Sequence, residues 1–126
     1  MKFKLVEIRT IERSLMNLIN KEMPIRVAYR LGKLMKIITI ELSEIEEHRI
    51  NLVKKYSKKG KEGDVFEVLP ENESDFKREF ELLLMEEIDI DFKPIPISDF
   101  GDMSISSMDL IKLDKLICDG EEKIKD

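Results

Sequence analysis

Between Pro24 and Pro70 no proline interrupts the chain, and one unbroken helical repeat runs through that window. Ala28, Leu31, Met35, Ile38, Leu42, Ile45, Arg49, Leu52 and Tyr56 are spaced alternately three and four residues apart, the period that puts side chains on one face of an α-helix. Pro24 sits where a first helical turn tolerates a missing N–H. Gly60 is a plausible stop, and Lys54, Lys55, Lys58 and Lys59 place positive charge where the helix macrodipole favours it. A helix over residues 24–58 would be about 50 Å long at 1.5 Å per residue. A compact chain of this size has a radius of gyration of roughly 14 Å, so part of that helix must be covered by a partner helix, another subunit or both.

The rest of the pattern predicts a mainly α, α+β fold. Residues 2–8 alternate imperfectly, with Phe3 and Leu5 inward, which suits a short strand. Thr10 is a candidate cap for a short helix that stops near Asn20. Val65-Phe66-Glu67-Val68-Leu69 predicts a strand closed by Pro70, after the turn-rich stretch around Gly60 and Gly63. From Ser74 a second helix carries Phe76, Phe80, Leu83, Leu84 and Ile88 on one side and is the expected antiparallel partner of the long helix. Residues 88–97 alternate apolar and non-apolar, and Pro94 and Pro96 confine them to a sheet edge. Ser106 and Asp109 have N-cap and N3 spacing before a final helix with Leu110, Leu113 and Ile117 on its face. The expected organisation is one domain over residues 1–120, with 121–126 a charged, frayed tail.

At 126 residues a single domain can bury a core without disulfides or metal. The lone Cys118, expected on the last helix, cannot form an intramolecular disulfide, which points to a reducing cytoplasm. No apolar run has signal-peptide or membrane-span length, so secretion and insertion are not expected. Charge is unevenly divided. Residues 1–60 hold 14 Lys+Arg against 7 Asp+Glu, and residues 61–126 hold 8 against 20, so halves of +7 and -12 sum to -5. Either the halves neutralise each other in the fold, the expected outcome for one packed domain, or a basic and an acidic face are displayed to different partners.

Catalytic chemistry finds little to work with. The one histidine, His48, reads as a surface helical residue beside Glu44, and no activated nucleophile accompanies it. Gly60 and Gly63 do not make a phosphate loop. Asp89 and Asp91 would share one strand face and are candidate ligands for a divalent cation, although an acidic sheet edge needs no ligand to explain it. The basic run Lys54 to Lys61, with Tyr56, has the composition of a phosphate contact, but it also suits a helix end and a solvated turn. Arg49 interrupts the apolar stripe, to snorkel, to fix register or to pair with a carboxylate such as Glu79. No catalytic, metal or cofactor residue is assigned, and none is expected.

Several stretches carry a resemblance. Met23-Pro24-Ile25-Arg26-Val27-Ala28-Tyr29-Arg30-Leu31, Lys55-Tyr56, Phe80-Glu81-Leu82-Leu83, Pro94-Ile95 and Ser104-Ile105-Ser106-Ser107-Met108-Asp109-Leu110 together resemble small proteins of unknown function from phages and prophages of low-GC Gram-positive bacteria. The resemblance spans most of residues 20–113. Those proteins often carry proline in the first turn of the last helix, where this chain has Ser107. The resemblance implies a phage or prophage origin and transfers no catalytic residue.

The expected function is that of a non-enzymatic phage or prophage accessory protein in the host cytoplasm. It would work by protein–protein contact, as a homo-oligomer through its long helix or on a host or phage protein. An exposed apolar flank of that helix, or Val65, Phe66 and Val68, would be the interface. The alternatives are an inhibitor of a host defence protein using the acidic C-terminal half, a particle-assembly factor, or a nucleic-acid module.

Overall fold

The computed structural model describes residues 1–58 and 67–119. Strand β1 (Lys2–Lys4) runs antiparallel to β4 (Glu87–Asp89), with Phe3 opposite Ile88. The ladder continues on both sides through Leu5 N–H to the Glu86 carbonyl and Ile90 N–H to the Met1 carbonyl.

The strand is shorter than the alternation predicted. Helix α1 (Leu5–Ile19) begins at Leu5, because from there the apolar residues Leu5, Ile8, Ile11, Leu15 and Leu18 recur at helical spacing and all are buried. Glu7 favours that start by accepting the Lys4 N–H at 2.8 Å. Thr10 therefore lies inside the helix, its hydroxyl donating to the Val6 carbonyl, and caps nothing.

Helix α2 (Ile25–Lys55) has 31 residues, about 46 Å at 1.5 Å per residue. Its buried positions are Val27, Leu31, Leu34, Ile38 and Ile45. Val27 and Leu34 replace the expected Ala28, which is exposed, and Met35, which is half-buried. Leu31, Ile38 and Ile45 are buried as expected, so the seam keeps its seven-residue repeat and only its other row moves by one residue.

The main partner of α2 is α1, not the later helix. A five-residue connection folds α1 back along the first half of α2, and Ile8, Ile11, Leu15 and Leu18 join Val27, Leu31, Leu34 and Ile38 in the principal core. Helix α3 (Glu73–Leu84) covers the far half instead. There Leu5, Ile45 and Leu84 form a smaller cluster, with Phe80, Leu83 and Ile88 partly buried around it. The Arg9 guanidinium lies 5.2 Å from the centre of the Phe80 ring and ties α1 to α3.

Between α2 and α3, β2 (Ser57–Lys58) pairs antiparallel with β3 (Glu67–Val68). The expected strand residues Val65 and Phe66 and the stop at Gly60 lie outside the described residues. The segment expected as one strand over 88–97 is split. Its first part is β4, and β5 (Ile95–Pro96) pairs in parallel with β6 (Ile117–Cys118). Ser106 caps α4 (Ser107–Lys112), its hydroxyl accepting the Asp109 N–H at 3.1 Å. That helix ends at Leu113, so Ile117 and Cys118 are strand residues and not helical ones. Leu113 and Leu116 turn inward to close the core. Gly101 has a φ of 72°, a left-handed conformation that glycine adopts without strain, and it faces the Pro24 ring at the start of α2.

Candidate functional site

With its core side packed on α1 and α3, α2 carries a second set of apolar residues that nothing in the fold covers. Ile25 is 84% exposed, Tyr29 65% and Ile40 60%, with Ile50 also exposed. Positions 25, 29, 32, 36, 40, 43, 47 and 50 are again spaced three or four apart, so they form a line along the side opposite the core. Gly32 lies on that line, and a Cβ there would meet nothing within 4 Å. Beside it, an open apolar groove of about 480 Å³ runs between Ile19 of α1 and Met35, Thr39 and Ile40 of α2.

On the other flank, a cleft of about 390 Å³ separates α2 from residues 90–93. Arg30 braces it. Its guanidinium donates to the Lys93 carbonyl at 2.5 Å and lies 5.3 Å from the Phe92 ring centre. Lys33 sits 5.2 Å over the ring of Tyr29. None of these cleft contacts was expected from the sequence. The signal available was the pairing of cations and aromatics in Tyr29-Arg30 and Phe92-Lys93, which spacing along the chain does not bring together.

Charge along α2 is separated. Arg26, Arg30, Lys33 and Lys36 fill the first third without an acidic residue, and Glu41, Glu44, Glu46 and Glu47 follow without a basic one. Among the described residues none of those four cations makes an ion pair, and of the four glutamates only Glu46 does, with Arg49. Burial, and then the neighbouring charge of Glu44, raise the Glu41 carboxyl above its ordinary pKa. Among the described residues, three ion pairs join the two halves, Lys55 with Glu79 at 3.0 Å, the Met1 amino group with Asp89 at 3.0 Å and Lys115 with Glu7 at 3.3 Å, and none of them involves the first half of α2. The first half of α2 displays its positive charge.

The residues singled out in the sequence are dispersed. Arg49 is held by Glu46, its Nε and terminal nitrogen donating at 2.8 and 2.6 Å, and not by Glu79. The three-residue spacing on one helix makes the local partner the cheaper one to order. Glu79 instead takes Lys55 and the Tyr56 hydroxyl, and these two donors hold its carboxyl below the usual range, Tyr56 contributing most. Tyr56 is thereby anchored and half-buried. Of the basic run, the side chain of Lys58 and residues 59–61 lie outside the described residues. Asp89 accepts from the Met1 amino group at 3.0 Å, and that contact lowers its pKa. Asp91 lines the cleft below Arg30. His48 is exposed on α2. Among the described residues no three His, Cys, Asp or Glu side chains converge as a metal-binding group, and no helix is long and apolar enough to cross a membrane.

Comparison with known proteins adds no relative: no family model, curated protein or solved structure matches the chain.

Proposed function

We propose that this chain is a non-enzymatic binding protein that docks another protein on the outer face of α2. The observation that carries the reading is the exposed line through Ile25, Tyr29, Ile40 and Ile50, backed by an apolar groove. Scattered surface hydrophobics are ordinary, but four of them aligned on one side of a single helix, beside an apolar groove, are the pattern of an interface. The sequence resemblance supplies the setting, a phage or prophage accessory protein acting in the host cytoplasm.

The test is site-specific photo-crosslinking in a Gram-positive host. A photoreactive residue at Ile40 is expected to give a discrete covalent protein adduct, while one at Glu12, exposed on α1, gives none. Replacing Tyr29 by Ala in the Ile40 probe should weaken the adduct. Equal labelling from both positions, or none from Ile40, sinks the proposal. A third probe at exposed Glu87 addresses the acidic half. Adducts there and not at Ile40 would favour an inhibitor that presents its acidic surface to a basic groove, with binding that falls steeply as salt rises.

A further inference from the structure

We infer that the partner of this face is a second copy of the chain, with the two α2 helices running antiparallel about a two-fold axis near residues 37–39. The inference rests on reading the outer face of α2 as a docking surface and names its occupant.

Charge complementarity selects both partner and direction. Parallel α2 helices in register would set the basic block 26–36 against itself and the acidic block 41–47 against itself. Antiparallel helices set each basic block against the other copy's acidic block, and a two-fold axis makes the match twice. The four cations and three glutamates that make no ion pair among the described residues then face opposite charge in the other copy, while Arg30 and Lys33 keep their contacts with the Lys93 carbonyl and the Phe92 and Tyr29 rings.

The register also makes one apolar pair and sets Tyr29 beside Glu47 of the second copy. Centring the two blocks on each other pairs residues whose numbers sum to about 76. Ile25 then meets Ile50 at the ends, Lys36 lays its aliphatic stem along Ile40 near the axis, and Gly32 lies by Ser43. Glycine in mid-helix costs helix stability and is not required by packing within the chain, where its Cβ would find open space. Close approach of a second helix gives it a use. On the flank, Lys33 falls beside Glu44 of the second copy, because in an antiparallel pair each flank meets its own equivalent.

That flank pair gives the experiment. Sedimentation equilibrium from about 1 µM to about 1 mM is expected to show a monomer–dimer equilibrium. Lys33→Glu and Glu44→Lys each place like charges together at both ends of the pair, and each should raise the dimer Kd by about tenfold or more. Mixed in equal amounts, the two variants restore both opposite-charge pairs in a heterodimer, and the Kd should return to within about threefold of the original. Circular dichroism checks that both variants keep the helix content of the parent. A chain that is monomeric throughout overturns the second copy as partner. A dimer indifferent to both variants, or one that mixing fails to restore, overturns the antiparallel α2 pairing. A monomer that still gives Ile40 adducts to another protein would retain the docking face and lose only this occupant.

Discussion

The hydroxyl of Ser14, 1% exposed and the one buried polar residue among those described, donates a 2.7 Å hydrogen bond to the Asp109 carboxylate across 95 positions of sequence. Asn17 adds a second donor at 3.3 Å, and Asp109 returns its own N–H to the Ser106 cap. One carboxylate thus pins α4 to α1 while its residue completes the turn that starts α4. Ser14→Ala should cost about 1.5–3 kcal/mol, the range for a hydrogen bond to a charged group. Asp109→Ala should cost more, because it leaves a buried hydroxyl without its acceptor, and Asp109→Asn should recover part of the loss. Urea unfolding with an unchanged m-value checks the order. Equal stability of Ser14→Ala and the parent would mean that the bond contributes nothing.

Acid should loosen the same end of the molecule. Hydrogen bonds, from Ser14 first, hold the Asp109 pKa below its ordinary value, and the backbone N–H of Lys4, then Lys115, do the same for Glu7. A depressed carboxyl stabilises the fold above its unfolded pKa, about 4 for these groups, and loses that contribution as pH falls through the lower folded value. Stability should therefore be flat from neutral pH to about 5 and decline below about 4. Glu7 also meets the Lys115 ammonium at 3.3 Å, while that ammonium reaches the Lys2 carbonyl and lies over the Phe3 ring. Since Glu7 is partly exposed, Glu7→Gln should remove only about 0.5–1 kcal/mol at pH 7 after solvent screening. It should also shallow the acid limb. An acid limb identical to the parent's would show that the Glu7 contacts do not form in solution.

The features legible in the sequence are those that a local pattern determines. The long helix, read over 24–58 and found over 25–55, follows from an unbroken period, and the Ser106 cap follows from a four-residue motif. The start of α1 was ambiguous because Phe3, Leu5 and Ile8 satisfy a strand and a helix alike, and the Glu7 contact that favours the helix belongs to side-chain geometry. The later helix was expected to be the partner of α2, and α1 is its main partner instead. Phe76 and Phe80 promised a stronger partner than Ile8 and Leu15, yet the aromatics are half-buried at one end while the aliphatic residues fill the centre. The outer face of α2 was present in Ile25, Tyr29, Ile40 and Ile50. An exposed apolar flank was expected, but its residues were not, because periodicity does not show which of two helical stripes the neighbouring helices cover. Arg30 over Phe92 joins residues more than sixty positions apart and leaves no periodic trace.

Uneven core depth predicts uneven stability. Leu34 and Ile38 lie in the principal core with 1% and 0% exposure, whereas Leu84 belongs to the small cluster at the far end of α2. Leu34→Ala should cost about 3–4 kcal/mol, within the range for emptying a packed site, and Leu84→Ala about 2 kcal/mol. Native-state hydrogen exchange should find α3 and the last turns of α2 opening before α1 and the first half of α2. Uniform protection along all 31 residues of α2 would refute the division into two clusters.

Gly32→Ala separates the isolated chain from the paired one. Within one chain the added methyl meets nothing within 4 Å, and mid-helix alanine is favoured over glycine by about 0.5–1 kcal/mol. At micromolar concentration, where the monomer dominates, the melting temperature should rise by about 2–5 °C. In the antiparallel pair the same methyl enters the seam beside Ser43 of the second copy and pushes the helices apart, so the dimer Kd should rise. Because association adds stability in proportion to the logarithm of concentration, the parent should gain more on concentration than the variant. The two melting curves should therefore converge or cross as concentration increases. A constant advantage for the variant from the lowest to the highest concentration would show that no second helix approaches Gly32, whatever the sedimentation profile of the parent.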